Sequence, residues 1–514
     1  MTAASPSANR HDPLSAWRFD TIKTIPDISR HWAAVSPDKV ALIDGPATQT
    51  YGELERLSTR VGRKLIEGGL AYASNIGFIG KNALEFYGLW LGAGKAGCAL
   101  APFNWRCTAD ELVEIVGDAV PPIVIVSEEC EEVMRAVLGR VATPFEMVVF
   151  TPASRSGYGL EPWLESVTIE GPLRTLVPSD VALLSYTSGT TGLPKGAMAT
   201  HDAFYHSFLC GVLEPAMTFQ EGDVMLMSMP NFHLGGSWVS LAALYHGQTL
   251  SILPAFDPAA CIAAMGRDRI TIAPIVPAAI QMLLDQPGVG PESFGTLRSV
   301  IYFGSPISPV LMARAVEQMG CDLSQYYGTT EMWFLTILRH EHHIDDGSGR
   351  LNSCGVPMPL VSLKILDEAG AEVATGQIGE VVVRTPMNFA GYWRRPDATA
   401  EVMKNGWYHT GDLGRVDEGG YLYVVDRAKD MIITGGENVY STEVEKALQK
   451  LPGVLACAAV GLPDETWGER VTAALIVDPA AGLTEEVVIA HCRSLIAAYK
   501  CPKQVLFVDT LPMT

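Results

Sequence analysis

Positive charge is the first scarcity. The 514 residues carry 37 Lys and Arg against 57 Asp and Glu, a formal net charge of −20. Nucleic acid and anionic membranes both demand a cationic surface, so neither is expected as a general partner. A phosphate ligand would have to be held by a local site, with a metal sharing its charge. Long apolar runs are also missing. YGLWLGAGKAGCALAPF is broken by a lysine, and no transmembrane segment is expected. The opening MTAASPSANRHDPLSAW lacks the basic region and apolar run of a secretory signal. Ten cysteines occur singly, without a C-x-x-C pair. That argues against a disulfide framework or zinc cluster and fits reduced, mostly buried thiols in a cytoplasmic protein. There is no internal repeat or low-complexity tract.

What is present is a globular composition, 48% hydrophobic and 18% charged, on a chain too long for one core. From about Ile76 to Phe150, apolar runs (IGFIG, PPIVIVS, FEMVVF) alternate with helical patterns such as ADELVEIVGDA. Later, DVALLSYTSG, TLSILPAF, ITIAPIVP and LRSVIYFGS run into small residues, with AAIQMLLDQ and SPVLMARAVEQMG between them. Such alternation predicts doubly wound, largely parallel sheets, which place ligands beyond the carboxyl ends of strands. After about Gly355, SLKILDEAGAEVATGQIGEVVVRT alternates polar and apolar residues around turns, predicting a barrel-like β piece. Beyond Asp426 a smaller α+β segment follows, with a capped helix start at Ser441. The expected division is 1–425 and 426–514.

Residues 185–198, SYTSGTTGLPKGAM, interleave hydroxyls and glycines with one cation, Lys195. Glycines admit an anion close to the backbone, hydroxyls donate to it, and lysine adds a point charge. The stretch is not a P-loop of the G-x-x-x-x-G-K-[ST] kind, because Gly196 follows Lys195. YYGTTE (326–331) offers an aromatic face for a purine, a hydroxyl for a phosphate, and in Glu331 an oxygen ligand for Mg²⁺. GWYHTGDLG (406–414) sets Asp412 in a turn, where its carboxylate suits a ribose diol. In DRAKDMIITGGENVYSTEVE (426–445), Arg427 offers a guanidinium to ribose or phosphate oxygens.

Two other patterns compete for notice. GAGKAG (92–97) satisfies G-x-G-x-x-G, but it follows NALEFYGLWL, which reads as a helix. Its glycines are therefore assigned to close helix packing rather than to a nucleotide. His340, Glu341, His342 and His343 lack a metal-binding spacing and read as a solvated loop.

Taken in order and at this spacing, the four motifs resemble the adenylate-forming superfamily, over nearly the whole chain. RTPMNFAGYW (384–393) is similar to the barrel segment of its stand-alone fatty-acid and aryl-CoA ligases. The resemblance implies an α/β fold: a large N-terminal region of doubly wound sheets plus a β-barrel, with a small α+β C-terminal lid. It implies an ATP-dependent acyl-CoA synthetase acting on a carboxylic acid, and two indoles near the carboxylate, Trp238 and Trp333, would shorten the pocket and favour short, medium-chain or aromatic acids. An acyl-adenylate and pyrophosphate form first, and the coenzyme A thiol then displaces AMP. Thr187, Ser188, Gly189, Thr190, Thr191, Gly192 and Lys195 would hold the β- and γ-phosphates. Gly304, Ser305 and Pro306 would lie against adenine, with Tyr327 stacked on it beside Gly328; Thr330 would touch the α-phosphate, and Glu331 would bind Mg²⁺. Asp412 and Arg427 would hold the ribose, Asp426 would be the hinge, and Gly435 and Gly436 the lid loop for thioester formation. His233, in MPNFHLGG, matches the position beside the substrate carboxylate, and Trp238 and Trp333 are candidates for the acyl pocket. Thr187, Lys195, His233, Thr330 and Glu331 would carry the chemistry.

The resemblance leaves the acceptor open: a carrier protein or an oxidative step could replace coenzyme A, or the chain could bind nucleotide without turnover. A homodimer is also left open. The family's lid carries a lysine near a P-x-x-x-x-G-K pattern, and this sequence ends at LPMT (511–514), where that segment would begin. Lys500 and Lys503 lie too early to match. The expectation for residues 1–514 is weak adenylation with thioester formation retained.

Overall fold

The computed structural model describes residues 17–511, apart from 168, 188–193, 306, 344–346, 428–429, 435–436, 465–467 and 497. The alternation predicted from sequence produces two large sheets. In the six-stranded sheet the order is Glu146–Phe150, Ile123–Ser127, Asn75–Ile79, Ala99–Phe103, Val181–Thr187 and Lys195–Thr200. Its strands run parallel except the last, which returns antiparallel beside Val181–Thr187. The nine-stranded sheet runs from Val356–Pro357 through Trp333–Leu338, Asp322–Thr329, Ser299–Phe303, Ile272–Ile275, Val224–Met227 and Thr249–Ile252 to Val40–Asp44 and Ala47–Thr50. The last two strands come from the start of the chain, and nothing in the first 75 residues was read as belonging to this sheet.

One continuous core joins residues of both sheets, including Leu42, Ile76, Phe78, Met225 and Ile301. One helix beside this core has no solvent face. All 12 residues of Leu84–Lys95 are buried, as expected of a helix apolar all round. It packs against Tyr51–Glu67, and a Cβ at Gly88 or Gly92 would lie 2.4 Å from Leu57 Cδ2 or 2.5 Å from Val61 Cβ. Lys95, in the same GAGKAG stretch, is buried and donates to Glu55 at 2.6 Å and to Ser58 Oγ at 2.7 Å. The helix-packing reading of these glycines thus stands, and the lysine belongs to the interior.

After residue 355 come two five-stranded sheets. The first contains Ser362–Leu366, Gly379–Arg384, Trp407–Val416, Met403–Lys404 and Leu422–Arg427, all antiparallel. Asp412 therefore lies within a strand of ten residues rather than in a turn; pairing on both edges keeps the glycine-flanked segment extended. The second sheet, Gln504–Phe507 included, packs Val471 and Leu475 against helices Ser441–Leu448 and Glu485–Leu495.

The histidine cluster needs one correction. His343 is buried, not solvated. Its Nδ1 lies 2.9 Å from the Arg339 carbonyl and its Nε2 2.9 Å from the Tyr302 hydroxyl. Nδ1 must donate to a carbonyl, so Nε2 accepts from Tyr302. Burial drops the ring to a pKa of about 4. Among the described residues no group of three or more His, Cys, Asp or Glu could hold a metal ion, and no helix is long and apolar enough to cross a membrane.

Glu85, in the first turn of the buried helix, titrates within this core. Its Oε1 accepts from Ala153 N–H at 2.6 Å. Burial nevertheless pushes its carboxyl up to about 7 from 4.5, with the nearby Asp44 adding to the rise and Arg155 opposing it. A raised folded-state pKa means the folded protein holds this proton more tightly. The stabilisation is complete below about pH 4.5 and lost as pH rises through about 7. Glu85→Gln should remove that loss, worth up to about 3 kcal/mol, while its amide oxygen still accepts from Ala153. Urea unfolding at pH 5 and pH 8 checks this: parallel pH dependence in wild type and variant would contradict it.

Candidate active site

The hydroxyl- and glycine-rich stretch is flanked by a pair of antiparallel strands, Val181–Thr187 and Lys195–Thr200. Thr187 and Lys195 are their last paired residues, and the Thr187 hydroxyl donates to the Lys195 carbonyl at 3.4 Å. Ser188, Gly189, Thr190, Thr191 and Gly192 lie outside the described residues. The Lys195 ammonium stands 5.3 Å from the centroid of the Tyr392 ring. The Tyr392 hydroxyl in turn donates to Glu331 Oε1 at 2.6 Å. The Glu331 charge also acts on the buried Tyr408 phenol. Burial first, and then the Glu331 charge, push both phenols far above the ordinary tyrosine value, so each stays a proton donor.

Tyr392 belongs to a strap that ties this arrangement together. Phe389 N–H donates to the Glu331 carbonyl at 2.8 Å. Ala390 N–H donates to Met198 O at 2.8 Å and Trp393 N–H to Gly196 O at 2.7 Å, on the edge strand that starts at Lys195. Asp118 anchors the strap from the other side, accepting from Arg395 and from the Tyr186 hydroxyl, each at 2.9 Å. Tyr392, Tyr408, Tyr186 and Asp118 were not singled out from the sequence. The glycine–aromatic pair Gly391-Tyr392, inside a segment already quoted for its resemblance, was the available signal.

The nucleoside candidates also meet. The Tyr327 hydroxyl donates to Asp412 Oδ2 at 2.5 Å, and Asp412 is cross-strand partner to Arg427. Burial and the Asp412 carboxylate push the Tyr327 phenol well up. Gly304, at φ +92°, ends the strand Ser299–Phe303 and is exposed beside Ser305, while Pro306 lies outside the described residues. Thr330 is half-buried at the turn between strands Asp322–Thr329 and Trp333–Leu338. Gly328 is required there: a Cβ would sit 1.7 Å from the Trp333 carbonyl oxygen.

His233 sits at the N-terminus of helix Leu234–Tyr245 without capping it. It is open to solvent along part of its surface, yet enough protein surrounds the ring that burial, with the Arg106 charge second, holds its pKa below the ordinary value. Trp238 and Trp333 are both buried and both reach helix His201–Leu213. Trp238 Nε1 donates to Ser207 Oγ at 2.9 Å, and Trp333 packs edge-on against Phe204 with centroids 4.3 Å apart.

Asp426 is buried, and its carboxylate accepts from Ser441 N–H at 2.5 Å and from Ser441 Oγ at 3.0 Å. The helix Ser441–Leu448 is thus not capped by Ser441, which is its first helical residue. A carboxylate fifteen positions earlier satisfies the exposed N–H instead. Lys500 pairs with Glu443 at 2.7 Å, and Gly435 and Gly436 lie outside the described residues.

Comparison with known proteins agrees with this organisation. The AMP-binding enzyme family model matches residues 29–393, and that of the AMP-binding enzyme C-terminal domain matches residues 443–514. A fatty acid–[acyl-carrier-protein] ligase of Streptomyces coeruleorubidus is 34% identical over 499 residues, covering 96% of this chain and 94% of that protein. A feruloyl-CoA synthase of an Amycolatopsis species is 34% identical over 484 residues, covering 94% of each. The crystal structure of ATP-bound MatB from Rhodopseudomonas palustris superposes with a TM-score of 0.85 at 30% identity, covering 95% of this chain and 96% of that one.

The phenol–carboxylate bond between Tyr392 and Glu331 can be removed without removing the ring beneath Lys195. Hydrogen bonds to charged groups contribute about 1.5–3 kcal/mol, so Tyr392→Phe should slow pyrophosphate release roughly tenfold or more with native circular dichroism. A wild-type rate would show that the phenol is only a wall.

Proposed function

The chain belongs to the AMP-binding enzyme family of adenylate-forming ligases, and on that premise we propose that it is an acyl-CoA synthetase for small carboxylic acids. The carboxylate attacks the α-phosphorus of ATP, pyrophosphate leaves, and the coenzyme A thiol then attacks the acyl carbon and expels AMP. Residues far apart in sequence converge, Lys195–Tyr392–Glu331 on one side and Tyr327–Asp412 on the other, and this convergence carries the reading.

In this scheme Thr187 and Lys195 take the leaving phosphates, and the Tyr327–Asp412 bond fixes a carboxylate toward the ribose. Thr330 donates to the α-phosphate. The chemistry is one of positioning and charge neutralisation, because phosphorus accepts the nucleophile without covalent help from the protein. Glu331 fits a hard cation: it is a buried oxygen donor steered by the Tyr392 phenol. One carboxylate with substrate phosphates is a usual set for Mg²⁺, which would polarise the phosphate oxygens when bound. His233, its pKa held below the ordinary value, is neutral at pH 7 and presents one N–H donor to the substrate carboxylate. Asp426, at the junction of the 1–425 and 426–514 regions, serves as the hinge between the two half-reactions. The acceptor could instead be a carrier-protein thiol, a reading favoured by the Streptomyces relative.

The test is a panel of short, medium-chain and aromatic acids assayed with ATP and Mg²⁺ for pyrophosphate release, then for AMP release with and without coenzyme A. We expect pyrophosphate release with at least one acid, stimulation of AMP release by coenzyme A, and loss of both, by about 100-fold or more, in Lys195→Ala and Glu331→Gln. Adenylate formation with no response to coenzyme A would move the reading to a carrier protein. No pyrophosphate release with any acid would overturn it.

A further inference from the structure

Trp333 breaks two local rules at one position. Its φ is +66°, a left-handed conformation that a bulky side chain rarely adopts. Its indole Nε1 is buried and has no hydrogen-bond partner among the described residues. Strained backbone and orphaned buried donors both concentrate where a protein meets a ligand. The contrast with Trp238 is direct: that indole, packed against the same helix, gives its N–H to Ser207 Oγ at 2.9 Å.

The strain has an identifiable source. Strands Asp322–Thr329 and Trp333–Leu338 are antiparallel, and their register slips between Tyr327 and Gly328. Gly328 lies so close to the Trp333 carbonyl that only a glycine fits. The hairpin therefore dictates the Trp333 backbone from the same turn that carries Thr330 and Glu331, and Trp333 stands two residues beyond Glu331. The indole packs edge-on against Phe204, one turn before Ser207 on helix His201–Leu213. Phe204, against which the indole packs, is a hydrocarbon ring and cannot accept the N–H conventionally.

We propose that Trp333 is a specificity-determining residue whose indole N–H donates to an oxygen acceptor on the acyl group of the substrate. The inference rests on the acyl-CoA synthetase reading above and deepens it: the preferred acid carries an ether, carbonyl or hydroxyl oxygen along its acyl chain or ring. A plain hydrocarbon acid of equal size leaves the donor unpaired and buried, and discrimination arises from that loss rather than from a steric clash.

The experiment compares hexanoic and cinnamic acids with counterparts bearing one methoxy or oxo group at successive positions, in wild type and in Trp333→Phe. Phenylalanine keeps an aromatic ring against Phe204 and removes the N–H. Wild type should favour one oxygenated position by about tenfold in kcat/KM. Trp333→Phe should lose that preference, its kcat/KM falling more for the oxygenated acid than for the hydrocarbon parent. As a check independent of the variant's folding, the Trp333 indole ¹⁵N–¹H resonance of the wild-type protein should shift downfield on binding the preferred acid and not on binding its hydrocarbon parent. Turnover without an oxygen preference, a preference that survives Trp333→Phe, or an unmoved indole resonance would each overturn the proposal. Absence of turnover with every acid would instead overturn the functional reading, and this proposal with it.

Discussion

The contact between the Tyr392 phenol and the Glu331 carboxylate, 2.6 Å long, is the point on which the candidate site depends. Glu331 comes from the nine-stranded sheet, Lys195 from the edge of the six-stranded sheet, and Tyr408 from the antiparallel sheet that follows. None of these sheets shares a strand with another. The segment 389–395 meets all three, through backbone bonds to Met198, Gly196 and Glu331, through the Tyr392 hydroxyl, and through Phe389, which packs edge-on against Tyr408. A carboxylate removed from water needs donors in compensation. The Tyr392 phenol, too buried to ionise, provides one, so solvation of Glu331 and alignment of the sheets are one requirement.

Local preference and final structure agree where two helices cross and conflict at Trp333. The buried helix Leu84–Lys95 has small residues where it crosses Tyr51–Glu67, and its single lysine is matched by Glu55, Ser58 and Thr59. At Trp333, by contrast, backbone conformation and hydrogen bonding are both unfavourable. Proteins tolerate such conflicts where function requires a geometry that folding alone would avoid.

Much of this was legible in the sequence because it is written locally. ADELVEIVGDA became a helix over Ala109–Ala119, and the apolar runs ending in small residues became strands of the two large sheets. The glycines of GAGKAG were readable as packing because a helix, not a strand, precedes them. What was not legible is set by contacts across long stretches of chain. Pairing of Val40–Asp44 with Thr249–Ile252 leaves no periodic trace in either segment. Burial of His343 depends on Tyr302, and capping of the helix at Ser441 depends on Asp426. Tyr392 was hidden for the same reason: its hydroxyl acts on a residue 61 positions earlier.

The acidic composition returns as a constraint on Lys195. At −20 net charge, the protein's long-range field repels a polyphosphate, so binding depends on cations whose charge remains available at close range. Several basic side chains are committed to carboxylates: Arg395 to Asp118, Lys95 to Glu55, Arg155 to Glu128 and Glu129. Lys195 has no carboxylate partner among the described residues and rests on the face of Tyr392 instead. An aromatic face attracts an ammonium without cancelling its charge. Tyr392 thereby meets two opposite needs, donating a proton to the anion at Glu331 while supporting a cation whose charge is left for a ligand. A carboxylate in its place would hold Lys195 more tightly, but would spend the charge that an acidic protein can least spare.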